Sequence, residues 1–179
     1  MALNTSSWLN QCFVEKILRK SEGDDSIQVI DVFSNRGSNK GDNFNCDIVR
    51  ITAEFLREES GRKIVEKKSI IVKVSPTIES VRYNILIQSA FFHTEVSMML
   101  NTLDKMNKLL SPEHCLSGKG LYVQNENPIL LVIEDLIPLG FRMVDLSALD
   151  LAHSILVLHG LARFHAASVA ICEKVNHLD

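Results

Sequence analysis

Apolar and polar positions along this chain change period several times, and each change marks an element. From Ser7 to Lys20 the apolar residues Trp8, Leu9, Cys12, Phe13, Ile17 and Leu18 recur on one side at helical spacing. A serine ahead of them can cap the helix, which reads as a docking helix packed on the fold rather than a membrane anchor. The period then shortens. Ile27 to Phe33 predicts a strand, and Phe44 to Phe55 alternates, with Cys46 and Ile48 on one face and Val49, Ile51 and Ala53 on the other. Polar, glycine-bearing turns at Ser34–Asn43 and Glu58–Gly61 separate these from the β-branched run Ile70 to Val74, which Ser75-Pro76 ends. Three strands and two turns make an antiparallel meander.

Helical spacing returns from Phe91 to Leu110, where Phe92, Val96, Met99, Leu103, Met106 and Leu110 form a stripe and Pro112 marks the stop. Leu121–Gln124 and Ile129–Glu134 predict two further strands around the turn Asn125-Glu126-Asn127-Pro128. Beyond Pro138 and Gly140 lies a long apolar helix, which Ser147 can cap with Asp150 three residues on. Its apolar residues occupy two faces: Leu151, Ile155, Leu158 and Ala162 on one, Leu149, Ala152 and Leu156 on the other. Such a helix is normally buried in a larger helical body, and an exposed face over residues 149 to 171 would favour self-association.

Composition adds limits. The 179 residues are 46% hydrophobic and 23% charged, enough to bury a core, and the net charge is -3. That balance points away from nucleic acid or an anionic membrane as partner. The longest uninterrupted apolar run, Ile129 to Ile133, is far too short to span a bilayer, and no signal peptide is visible. Cys12, Cys46, Cys115 and Cys172 form no CxxC pair and read as buried, reduced thiols of a cytoplasmic protein. His153, His159 and His165 do not fall at the i, i+4 spacing of metal ligands and read as structural.

Four segments carry candidate chemistry. Lys73 sits inside Ile70-Ile71-Val72-Lys73-Val74, where an ammonium needs a partner unless the strand is an edge open to water. Glu95 lies within the stripe of the following helix and can be that partner. A strand lysine followed by a helix glutamate is the arrangement in which a kinase lysine holds α- and β-phosphates while the glutamate orients it. Gly37-Ser38-Asn39-Lys40-Gly41 joins two strands ahead of Lys73; taken alone it is an ordinary hairpin turn, but its glycines would let backbone N–H groups approach a phosphate. Glu134-Asp135-Leu136 ends an apolar strand, where a kinase connector hydrogen-bonds adenine through its backbone.

Together these segments make the chain resemble the amino-terminal part of the ecdysteroid kinase-like family of insects, related to choline kinases and aminoglycoside phosphotransferases. The likeness includes Trp8-Leu9, Gly37 through Phe44, Ile71 to Val74 and Phe91-Phe92-His93-Thr94-Glu95. It continues through Val132 to Leu136, Gly140-Phe141-Arg142-Met143 and Leu161-Ala162-Arg163-Phe164-His165-Ala166-Ala167-Ser168. The resemblance implies an ATP-dependent kinase of small-molecule hydroxyl groups of the ecdysteroid or choline type. Carried onto this chain, Lys73 and Glu95 would be the ion pair, Gly37 to Gly41 the phosphate loop and Glu134 to Leu136 the adenine hinge.

Phosphoryl transfer also needs an aspartate for the acceptor hydroxyl and metal ions for the transferring charge. In the family these come from a His-x-Asp loop with a following asparagine and from an Asp-Phe motif, neither of which follows Ser168 here. His177-Leu178-Asp179 imitates the first motif but lacks the asparagine and stands too close to the preceding helix. No catalytic residue and no ligand for Mg are therefore assigned. The expected fold is α+β, a protein-kinase-like small lobe with a five-stranded antiparallel sheet plus helix over 1–136. The start of a truncated helical large lobe follows over 137–179. The leading expectation is a kinase-like chain inactive by itself; the alternatives are a non-catalytic nucleotide-binding or interaction module and an ordinary structural domain.

Overall fold

A computed structural model describes residues 8–37, 46–76, 81, 84, 90–126, 128–144 and 149–176. The elements are α1 (Gln11–Glu22), β1 (Gln28–Arg36), β2 (Asp47–Glu59), β3 (Arg62–Val74) and α2 (Phe91–Ser97), then a π-helical segment (Met98–Thr102) and α3 (Leu103–Leu109). A short 3-10 turn (Pro112–His114), β4 (Gly120–Gln124), β5 (Leu130–Glu134) and α4 (Leu151–Asn176) complete the order. The α+β class with a five-stranded antiparallel sheet is as the sequence predicts, with strand order β1-β2-β3-β5-β4. Two compact units divide the chain: Met1–Val96 with Gly120–Asp135, and Ser97–Lys119 with Leu136–Asp179.

In the first unit α1 covers one face of the sheet. Val14, Ile17 and Leu18 pack with Ile27, with Ile51, Ala53 and Phe55 of β2, with Ile70 and Val72 of β3, and with Leu130 and Val132 of β5. The alternation of β3 therefore turns Ile70 and Val72 toward α1 and sends Ile71 and Lys73 to the opposite face. The helix begins at Asn10, whose Oδ1 accepts from the Phe13 N–H at 3.0 Å. The cap thus falls at an asparagine inside the predicted helix, and Trp8 and Leu9 precede it. Trp8 stacks edge-on against Phe13 at 5.3 Å and Phe13 against Tyr122 at 6.1 Å. Gly23 closes the helix at a φ of 65°, a left-handed conformation that glycine adopts without a Cβ penalty.

Side chains of α1 also satisfy backbone along β1. Gln11 Nε2 donates to the Ile30 carbonyl at 2.6 Å, the Val29 N–H donates to Glu15 Oε2 at 2.9 Å, and Arg19 Nε donates to the Ile27 carbonyl at 2.8 Å. The register of β1 against β2 slips between Val29 and Asp31, and the first two bonds fall at that slip, where a bulge interrupts the ladder. Just after α1, hydrogen bonds from the Ser26 hydroxyl and N–H, with Arg57 beside them, hold the Asp24 carboxyl below its ordinary range.

β2 and β3 are longer than the hydrophobic pattern predicts. Their outer halves are charged and hold together by opposite charges across the ladder, with Lys67 Nζ 3.0 Å from Glu54 of its directly paired position and Arg57 Nη1 3.4 Å from Glu66. The connecting turn is the pair Ser60-Gly61, with φ values of 51° and 76°. Two positive φ values define the hairpin turn whose twist matches that of its strands.

The predicted helix Phe91–Leu110 does form, but not as one α-helix. The Leu103 N–H reaches the Met98 carbonyl, the i→i−5 bond of a π-turn. Of the predicted stripe, Phe92 and Met106 are buried, while Val96, Met99, Leu103 and Leu110 are half-buried.

In the second unit α3 packs against α4. Asp150 caps α4, its Oδ1 accepting from the His153 N–H at 3.0 Å and lying 2.7 Å from His153 Nδ1; the predicted cap Ser147 lies outside the described residues. Both predicted apolar faces of α4 are open: Leu149, Leu151, Ile155, Leu156 and Leu158 are all exposed, and Ala167 is buried. By length and composition Leu151–Glu173 could cross a membrane, with mean hydropathy 1.6 and 6% of its most apolar window buried. Uninterrupted runs do not reveal this, because scattered His, Ser and Gly break the runs while weighing little on the mean. The cysteine expectation needs correction as well: Cys46 is buried, but Cys12, Cys115 and Cys172 are exposed. Cys12 lies on the edge of the α1 stripe, away from the face formed by Val14, Ile17 and Leu18.

Candidate functional site

The face of the sheet opposite α1 carries Arg50 of β2 and Lys73 of β3. Lys73 stands near the end of β3, directly paired with Ile48 of β2 on one side and Leu131 of β5 on the other. Its Nζ meets Glu95 Oε1 of α2 in a salt bridge, so the ion pair expected from the sequence is present. The Lys73 side chain is 18% exposed and that of Glu95 36%. Those values place the pair at the surface of the unit, where solvent or a ligand reaches it. The lysine is held by the glutamate without being sealed by it.

Gly37 is the one residue of the predicted phosphate loop that lies among the described residues; Ser38, Asn39, Lys40 and Gly41 lie outside them. The Gly37 N–H donates to the Ile48 carbonyl at 2.9 Å. A side chain at position 37 would collide with Ile48 Cγ2 and bring its Cβ to 3.3 Å from Ile48 Cβ. Glycine is thus required by close approach to a β-branched side chain with few rotamers to yield. Because Ile48 is the direct cross-strand partner of Lys73, this contact puts the start of the loop one strand away from the lysine. Gly37→Ala should destabilise the first unit by about 1–3 kcal/mol through overpacking. Urea unfolding would measure this, and a variant as stable as the parent would show that the hairpin closes by another route.

The predicted hinge residues behave differently from one another. Glu134 is the last residue of β5 and pairs with Ile70. Asp135 is 5% exposed, and its carboxylate accepts from Arg50 Nε at 2.9 Å and from the Ser69 hydroxyl at 2.6 Å. Leu136 begins the second unit, where its carbonyl accepts from the N–H groups of Leu139 and Phe141 at 3.1 and 3.2 Å. A carbonyl has two lone pairs, so the turn after β5 already occupies this acceptor.

Arg50 and Ser69 are absent from the residues singled out by sequence. The same reasoning that selects Lys73 applies to Arg50, a cation inside Ile48-Val49-Arg50-Ile51 of an otherwise apolar strand. A serine one position before a β-branched run carries no such signal. Among the described residues no group of three or more His, Cys, Asp or Glu side chains could hold a metal ion.

The model of the ecdysteroid kinase-like family matches residues 40–178. No curated protein and no solved structure gives a match. The matched span contains both members of the ion pair, the last two residues of the predicted phosphate loop and the whole of the predicted hinge, and it begins beyond α1 and β1.

Proposed function

The chain belongs to the ecdysteroid kinase-like family, and from that premise we propose that its first unit is the nucleotide-holding part of a small-molecule kinase. The observation that carries the proposal is the meeting of Lys73 and Glu95 on the sheet face opposite α1, one strand from the hairpin that Gly37 closes. Lys73 would place its ammonium against the α- and β-phosphates of ATP, and Glu95 would fix the direction of that ammonium. The backbone of Gly37 to Gly41 would cover the phosphates, and of the expected hinge Glu134 to Leu136 the backbone of Glu134 and Asp135 would face the base, the Leu136 carbonyl being taken by the following turn. Bound ATP would supply the phosphoryl group. The acceptor class suggested by the family is a small molecule with a free hydroxyl, of the ecdysteroid or choline type.

For these 179 residues alone the proposal is binding without transfer, because they contain no His-x-Asp loop with its asparagine and no Asp-Phe motif after Ser168. A nucleotide-binding module with no transfer role at all is the second reading, favoured by the same intact pair without those motifs. Calorimetric titration of ATP into the chain tests the shared core of both: saturable binding is expected, and no heat at millimolar ATP overturns it. Transfer from ATP to a panel of sterol and amino-alcohol hydroxyls, measured on a chain extended through the family's catalytic motifs, separates the two readings.

A further inference from the structure

We propose that Arg50, Ser69 and Asp135 form a latch that positions the base-reading backbone at the end of β5, which makes Arg50 and Asp135 positioning residues for the purine. The inference rests on the nucleotide-holding role proposed above and assigns to these side chains no contact with the nucleotide.

Asp135 is the one buried charged residue among those described. A carboxylate taken out of water is costly unless it is fully paired, and a well-packed apolar side chain would often stabilise as much. Stability alone therefore accounts poorly for a charge at this place, whereas a fixed backbone direction accounts for it well. The ladder between β3 and β5 ends at the pair Ile70 and Glu134. Ser69 and Asp135 are the next residue on each strand, so the Ser69 hydroxyl bond to the Asp135 carboxylate extends the connection one step past that final pair. Arg50, on β2, brings a third strand to the same carboxylate. Three strands thus tie down the residue after which the chain leaves the first unit. A base recognised by backbone N–H and C=O groups of Glu134 and Asp135 needs those groups held to a fraction of an ångström. Arg50 also lies on the same face as Lys73, because Arg50 pairs with Ile71 and Ile48 with Lys73. The latch and the phosphate-holding pair therefore share one face of the sheet.

The latch should act on the base and leave the phosphates alone. The test titrates ATP and inorganic tripolyphosphate into the parent chain, Asp135→Asn and Ser69→Ala, with thermal melts to check folding. Misplacement of a recognising group by about an ångström can cost up to about a hundredfold; Asp135→Asn should weaken ATP by about tenfold or more while tripolyphosphate stays within about twofold. Ser69→Ala should shift the ratio the same way by a smaller factor, and it decides the matter if Asp135→Asn does not fold. Equal weakening of both ligands, or of neither, overturns the latch and leaves the nucleotide reading standing. A parent chain that binds neither ligand overturns the nucleotide reading, and the latch with it.

Discussion

Lys73→Ala should abolish most of the ATP affinity proposed for this chain. The ammonium is held in place by Glu95 on the sheet face opposite α1 and keeps part of its side chain exposed. Hydrogen bonds to charged groups contribute about 1.5–3 kcal/mol each, a factor of about ten to more than a hundred in affinity. The loss has a second component. Without the lysine the Glu95 carboxylate would remain on the same surface and would repel the phosphates it is proposed to help place. Glu95→Gln in the parent background should weaken ATP by a smaller factor, since the lysine stays but loses its fixed direction. In the Lys73→Ala background the same change should restore part of the affinity. Such a reversal of sign is the mark of two residues acting on one ligand, and calorimetry on the four proteins measures it. Additive losses would mean that the pair is a structural tie between β3 and α2.

The second large effect concerns α4. We propose a second copy of this chain as its partner. Leu151, Leu156, Val157 and Leu158 are each more than half exposed on a helix whose sequence between Leu151 and Glu173 carries one internal charge, Arg163. Contiguous apolar surface of this kind marks an interaction site or an association liability. The sedimenting mass should rise with concentration through the micromolar range, and Leu156→Glu with Leu158→Glu should return the chain to a monomer. A chain that sediments as a monomer throughout contradicts this. Partition into neutral lipid vesicles without self-association would assign the same helix to a membrane surface.

How far the sequence discloses this molecule differs from element to element. The inner halves of the strands are readable because one face packs on α1 and the other does not, so Cys46 to Phe55 and Ile70 to Val74 alternate visibly. The outer halves of β2 and β3 are not, since both faces are charged and cross-strand pairs such as Glu54 with Lys67 become visible only once the register is known. The π-turn leaves no trace because Met98–Thr102 contains no residue type that demands it. Cys12 and Cys115 mislead because cysteine is buried in most proteins, and exposure here is decided by where each surface falls.

The candidate site divides along the same line. Lys73 and Glu95 are legible because a charge in an apolar pattern asks for a partner, and the two lie in the order a kinase uses. Gly37 is legible as a turn, but the reason for glycine, contact with Ile48 across the hairpin, is a tertiary fact. Asp135 is readable as standing at the end of an apolar strand, the place where a hinge is expected. Its buried carboxylate, held by Arg50 and Ser69 from distant parts of the chain, could not be anticipated from Glu134-Asp135-Leu136 alone.

The claim at the centre of this account is that a nucleotide's phosphates lie against Lys73. Acylation of the lysines by an amine-reactive reagent, followed residue by residue by mass spectrometry with and without ATP, tests it directly. Lys73 should be modified in the free chain, as its partly exposed side chain permits, and be protected as ATP saturates, while Lys67 and Lys108, on exposed surface, react equally in both samples. Equal modification of Lys73 with and without saturating ATP would contradict the account.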